Sequence, residues 1–373
     1  VSALTRLVWV HALMTAGEAA FAVSLADSLF LSITPDAARS RVLLFLAFSV
    51  APFAVLAPLV GPFLDRMPGG RRATVLGVGV ARAVLMLTTI RYLDSLALIG
   101  LTFGSLVLAR TYAVSRAAIV PTLVGGDDGL MSANGRLGRV AGVAATLGAL
   151  VAAPLQWIDP AFSLAFAATM FLLAGLRALS LPRHRHVPVS RAARTVRQSR
   201  DVRSAGWVML VMRGLVGFLF FHVAFWLRGE KAGTAWFAFA LATASLAIFL
   251  SNIVGPALRR RVREGILLDA SLVVVAVAGV ATAYAGGITA GIVLVGLVNG
   301  MAGLARLAFE SVVQSRTPDE DRARVFVAHE TRNQVAWVVA GLVAVAFTPS
   351  GAIGFLLVGV AAGLAAAYAI SSS

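Results

Sequence analysis

Stretches of about 20 consecutive apolar residues recur along the whole chain, and that is the length an α-helix needs to cross roughly 30 Å of hydrocarbon. They fall at 8–31, 42–63, 73–92, 96–118, 134–155, 160–180, 204–227, 235–257, 265–285, 288–309, 331–348 and 351–370. The spacing predicts an all-α membrane protein with twelve transmembrane helices. Strands are excluded because open sheets leave backbone groups unpaired in lipid and barrel strands alternate apolar and polar residues, a pattern these runs lack. Only 13% of the 373 residues are charged, against about 25% in a soluble domain. The first run follows Arg6 but carries Glu18 and Asp27 and is too long for a cleaved signal, so it is expected to remain as the first helix.

A net charge of +15 raises the question of nucleic acid, yet the arginines fall in short connections between apolar runs rather than on one compact face. With both termini placed in the cytoplasm, the inner connections receive Arg6, Arg66, Arg71, Arg72, Arg183, Arg185, Arg191, Arg194, Arg197, Arg200, Arg203, Arg259, Arg260, Arg261, Arg263, Arg316, Arg322 and Arg324. The outer ones receive Arg39, Arg41, Arg91, Arg228 and Lys231. This asymmetry predicts a multi-pass protein of the inner membrane with both termini inside, and no nucleic-acid partner. The chain has no Cys and five scattered His, which excludes thiolate metal sites and thiol nucleophiles and offers no zinc-ligand spacing. No Gly-x-x-x-x-Gly-Lys loop is present for ATP, and no nucleophile with a base suggests an enzyme, so no cofactor is expected.

The longest polar stretch, 182–203, divides the chain into 1–181 and 204–373, two bundles of six helices each. Arg recurs every third residue from Arg191 to Arg203, which fits either a short helix on the inner membrane surface or a solvated linker. The halves look like a diverged repeat. Val60-Gly61-Pro62-Phe63-Leu64 reappears as Val254-Gly255-Pro256-Ala257-Leu258, and Leu108-Ala109-Arg110 as Leu304-Ala305-Arg306, at offsets of 194 and 196 residues. In duplicated transporters the seam between repeats is where substrate binds. Gly138 and Gly142, four residues apart in the fifth span, suggest close helix packing.

The connection after the second span, Gly61-Pro62-Phe63-Leu64-Asp65-Arg66-Met67-Pro68-Gly69-Gly70-Arg71-Arg72, resembles the G-x-L-x-D-r-x-G-r-r loop between helices two and three of the major facilitator superfamily. The resemblance implies two pseudo-symmetric bundles working by alternating access, with Gly61, Asp65, Arg66, Gly69, Arg71 and Arg72 as a gating motif. The second half departs from it, with Arg259 where Asp65 stands. Within the superfamily the first half is most similar to bacterial lysophospholipid transporters, through Gly17-Glu18, Tyr112-Ala113-Val114-Ser115-Arg116 and Ser132-Ala133-Asn134-Gly135. That likeness implies an amphipathic, lipid-like substrate, with Glu18 and Arg116 lining its path.

An ionised group at a span centre costs about 2.5–3.5 kcal/mol on insertion scales, so such residues should face a wet cavity or a partner. Glu18 and Asp27 lie in the first span, Arg110 and Arg116 in the fourth, Arg213 and His222 in the seventh, and Arg306 and Glu310 in the tenth. In the superfamily these spans line the central cavity, which makes Glu18, Asp27, Arg110, Arg116, Arg213, Arg306 and Glu310 the candidate substrate or ion contacts. Arg306 and Glu310 are also spaced to pair on one helix face. Arg82, outside the lining set, is expected to pair within its half. Trp157, Trp226 and Trp236 read as interface anchors. The expected function is secondary transport of an amphipathic or anionic lipid-like molecule by a monomer in the bilayer. The alternatives are drug or metabolite export and a non-transporting receptor or scaffold.

Overall fold

The computed structural model describes residues 2–25, 70–93, 95, 97–124, 128–182, 199–230, 234–347 and 349–372. These residues form eleven α-helices: α1 (Ala3–Ser24), α2 (Gly70–Thr89), α3 (Ala97–Leu123), α4 (Asp128–Ile158), α5 (Pro160–Ala178), α6 (Arg200–Gly229), α7 (Thr234–Arg259), α8 (Glu264–Ala285), α9 (Gly287–Arg316), α10 (Asp319–Phe347) and α11 (Gly351–Ser372). Ten are long and apolar enough to cross a membrane. The exception is α10, whose first half is polar. The span expected at 42–63 lies outside the described residues, as do Asp27, Gly61, Asp65, Arg66 and Gly69.

Several helices run past the bounds set by hydropathy, because a polar turn continues a helix as readily as an apolar one once it stands in water. α10 begins at Asp319 rather than near 331, and α9 continues to Arg316 rather than ending near 309. α6 begins at Arg200, inside the stretch expected to be linker. α1 is shifted the other way: it ends at Ser24 rather than 31, and it starts where the Ser2 hydroxyl accepts the Thr5 backbone N–H at 3.2 Å. α5 starts at Pro160, with Asp159 accepting from the Ala161 N–H at 2.7 Å.

The polarity of the molecule is inverted relative to a soluble protein. Leu150, Val277 and Leu364 are among many large apolar side chains on the outer surface, while Arg82, Asn252, Asn333 and Gln314 are buried. Such a surface matches lipid, and the chain is a multi-pass membrane protein.

Apolar side chains of α1–α5 form one buried cluster and those of α6–α11 form another, the latter also taking in Met131 of α4. Each has a backbone-to-backbone seam made by glycine. A Cβ on Gly79 of α2 would come within 2.7 Å of Gly175 Cα on α5, and one on Gly279 of α8 within 2.6 Å of Gly359 Cα on α11. Only hydrogen fits between helices at that separation.

Both described termini lie at the same end of the molecule, and that end is rich in arginine. Arg6 at the start of α1 donates to the Ser180 carbonyl just beyond α5 at 2.8 Å. Arg316 at the end of α9 faces Asp201 at the start of α6, and Trp207 of α6 meets Tyr368 of α11 edge to face at 5.5 Å.

Candidate functional site

Four of the intramembrane charges sit at one depth, because α1, α2 and α6 start from the arginine-rich end and α3 finishes there. At 1.5 Å per residue, Glu18 on α1, Arg82 on α2, Arg110 on α3 and Arg213 on α6 all lie roughly 20 Å from the arginine-rich end. α1, α3, α6 and α9 are the four spans whose charges the sequence singled out.

Glu18 and Arg82 are a pair within the first half. Arg82 Nη1 donates to Glu18 Oε1 at 2.7 Å, its Nη2 reaches Ser105 Oγ at 3.4 Å, and its guanidinium lies 3.9 Å over the Phe171 ring. The arginine side chain is 2% exposed and the carboxylate 40%. Glu18 therefore neutralises a buried cation on one side and presents an oxygen to the open on the other. The expected pairing of Arg82 inside its own half is what the structure shows.

Arg110 makes a different pair, across the halves. Its Nη1 lies 3.5 Å from Glu330 Oε1 on α10, and both side chains are more than one-third exposed. Arg213 interacts electrostatically with Glu330, Arg110 and Arg306. Arg306 Nη1 binds Glu310 Oε1 at 2.9 Å on its own helix, the pairing its spacing allowed, and its Nη2 reaches Asn252 Oδ1 on α7 at 3.1 Å. Arg116 acts on His11, whose Nδ1 is 3.1 Å from the Tyr112 hydroxyl, and has a buried Nε with no hydrogen-bond partner among the described residues. Three guanidiniums, those of Arg110, Arg213 and Arg306, thus gather about two carboxylates, Glu310 and Glu330, with a fourth, Arg116, beside His11. Among the described residues, this group carries surplus positive charge.

Towards the arginine-rich end the halves close directly on one another. Asn134 on α4 donates to Gln314 on α9 at 2.8 Å, and Gln314 donates onward to the Ala117 carbonyl of α3 at 3.0 Å. Arg139 Nη1 donates to the Asn252 carbonyl of α7. Gly138 and Gly142 pack against Asn252 and Phe249, as the close-packing reading expected, and a Cβ on Gly135 would meet the Asn252 oxygen at 2.8 Å. Among the described residues, the halves touch through α4 against α7 and α9, and through α3 against α9 and α10.

The described part of the expected gating motif faces inward within its half. Arg71 donates to the Ala118 carbonyl of α3 at 2.9 Å and Arg72 to the Leu181 carbonyl beyond α5 at 3.5 Å. Both satisfy carbonyls at or near a helix C-terminus, where a cation is also favoured by the dipole. In the second half, Arg259 Nε binds Glu264 Oε1 at 2.6 Å, tying the last turn of α7 to the first of α8.

One expectation changes. Trp226 is not an interface anchor: it is 9% exposed, stacked on His222 and edge to face with Phe355, and donates from Nε1 to Glu230 at 3.1 Å. Trp157, at 87% exposure, keeps that reading, and Trp236 is also exposed. His222 is a packing residue in the same cluster. Sequence reasoning missed Glu330 and Asn252. Glu330 falls just before the apolar run 331–348, but Asn333 and Gln334, three and four residues on, continue a polar helical stripe through it.

No family model matches the chain. It is 28% identical over 389 residues to an uncharacterized Mycobacterium leprae protein, covering 92% of this chain and 67% of that one. An uncharacterized Mycobacterium tuberculosis protein is 29% identical over 272 residues, covering 62% of this chain and 48% of its own length. The chain therefore spans about two-thirds of the first relative and its match about half of the second. Among solved structures, a bacterial homologue of the iron transporter ferroportin in the outward-facing state superposes with a TM-score of 0.73 at 17% identity, over 100% of this chain and 99% of that one. The human organic anion transporter MFSD10 gives 0.74 at 15% identity over 98% of each. The major facilitator superfamily transporter FucP in its outward conformation gives 0.72 at 12% identity, over 99% and 98%. The fold is that of the major facilitator transporters.

Proposed function

We propose that the chain is a secondary active carrier of the major facilitator type. Twelve helices in two six-helix bundles would rock about a central site, and the substrate would be a small organic anion, amphipathic and lipid-like in the fullest form of the reading. The observation that carries this is the excess of guanidinium over carboxylate, among the described residues, where the halves meet. Arg110, Arg116, Arg213 and Arg306 come from three helices, and guanidinium is a permanent, planar donor suited to carboxylate or phosphate. A site with this charge repels cations, which disfavours a metal substrate and cationic drugs.

Closure at the arginine-rich end supports an outward-facing state once the excess of basic residues is taken to mark the cytoplasmic face of the inner membrane. Both termini then lie inside. Opening would require the Asn134–Gln314 bond, the Arg139–Asn252 bond and the Arg110–Glu330 pair to break together, while Glu18–Arg82 stays within its bundle.

Reconstitution in liposomes tests the reading. Uptake of a labelled lysophospholipid and of a simple organic anion is compared with that of a cationic dye, with and without a pH gradient. Anion flux should fall at least tenfold in Arg213→Gln. Flux of the dye alone would overturn the anion assignment, and no flux of any solute would favour a receptor or scaffold that keeps the fold.

A further inference from the structure

At the arginine-rich end, α6, α8, α9 and α11 and the end of α7 line a basin of about 800 Å³ wholly within the second half, away from the seam. Its walls carry Arg200, Arg203, Arg259, Arg263 and Arg316 against Asp201, Glu264 and Asp269. Glu264 is already engaged, by Arg259 at 2.6 Å and the Ser311 hydroxyl at 3.2 Å, and Asp201 stands 3.8 Å from Arg316. Arg200, Arg203 and Arg263 are in no ion pair among the described residues. Three guanidiniums are thus left to face one cavity.

The outer wall of the basin is apolar. Trp207, Ile266 and Tyr368 are exposed on the molecular surface beside it, with the Trp207 and Tyr368 rings edge to face. Aromatic rings at a helix end sit at the headgroup level of a bilayer, and basic pockets between spanning helices suit anionic headgroups. We propose that this basin binds a phosphate group, that of an anionic phospholipid in the adjoining leaflet. Arg200, Arg203 and Arg263 take the phosphate oxygens, and the first acyl methylenes lie along Trp207, Ile266 and Tyr368. Free inorganic phosphate fits the same guanidiniums but gains nothing from the apolar wall. The site is independent of what the central seam carries.

The test uses the whole protein in mixed micelles of phosphatidylcholine and phosphatidylglycerol, with retained lipid counted by native mass spectrometry. The wild type should retain phosphatidylglycerol several-fold over phosphatidylcholine, and Arg203→Gln/Arg263→Gln should lose that preference. Arg91→Gln, at the opposite end, should keep it. Asp269→Asn, which removes a carboxylate from the wall, should strengthen it, so the proposal stays open to refutation even if the double variant does not fold. An unchanged preference in the double variant, or in Asp269→Asn should the double variant not fold, would overturn the site. Displacement of the lipid by millimolar inorganic phosphate would overturn the lipid assignment in favour of a soluble anion.

Discussion

At nearly the same depth, the molecule holds two Arg–Glu pairs built for different ends. Glu18–Arg82 lies inside one half, short and with its cation sealed against Phe171. Arg110–Glu330 crosses between the halves, is longer, and leaves both partners partly exposed. A buried pair is hard to break because the partner left behind is an uncompensated charge in low dielectric, whereas an exposed pair is worth roughly 0–1 kcal/mol because water replaces either partner. The first arrangement holds a helix in place. The second can open and close at little cost, which is what the proposed rocking of the two halves requires.

The comparison breaks most directly at Glu18. Glu18→Ala strands the sealed Arg82 guanidinium and should lower stability by about 3–5 kcal/mol, read as the denaturation midpoint in detergent. Arg82→Leu should cost clearly less, because the carboxylate it leaves behind is half-hydrated; an equal or greater loss would mean the pair is not asymmetric. Glu330→Gln should do the opposite of Glu18→Ala, with stability within about 1 kcal/mol of wild type but anion flux down at least tenfold. A finer probe is Gln314→Ala, which removes hydrogen bonds between the halves worth about 0.5–1.5 kcal/mol each. It should raise access from the arginine-rich end, measured by labelling a single cysteine introduced into a chain that has none. The smallest effect belongs to the lipid-facing edge, where Trp157→Ala should shift stability by no more than about 0.5 kcal/mol.

Much of this arrangement is legible in the sequence because hydrocarbon allows few solutions: apolar length fixes the helices, and the cost of bare charge marks Arg110, Arg213 and Arg306 as residues in need of company. What hydropathy cannot see is a polar helix. The first half of α10 reads as a loop, which hides Glu330, the carboxylate that pairs with Arg110 across the halves. The identity of partners is equally hidden: Arg82 and Arg110 look alike in sequence, and only packing shows that one is sealed behind Phe171 while the other faces across the seam. Trp226 was misplaced because its position near a helix end resembles an anchor, whereas Gly291 and Gly351 make a recess that draws it inward.

The glycine seams have a mechanical consequence. Where Gly79 lies on Gly175 and Gly279 on Gly359, backbone rests on backbone with no side chain between them to rearrange, so each seam acts as a splint. Strain between the helices has no slack to relax into there and is passed on to the junction of α4 and α7, where Asn252 is held by a handful of polar contacts. The stiffest joints in the molecule thereby select which joint yields.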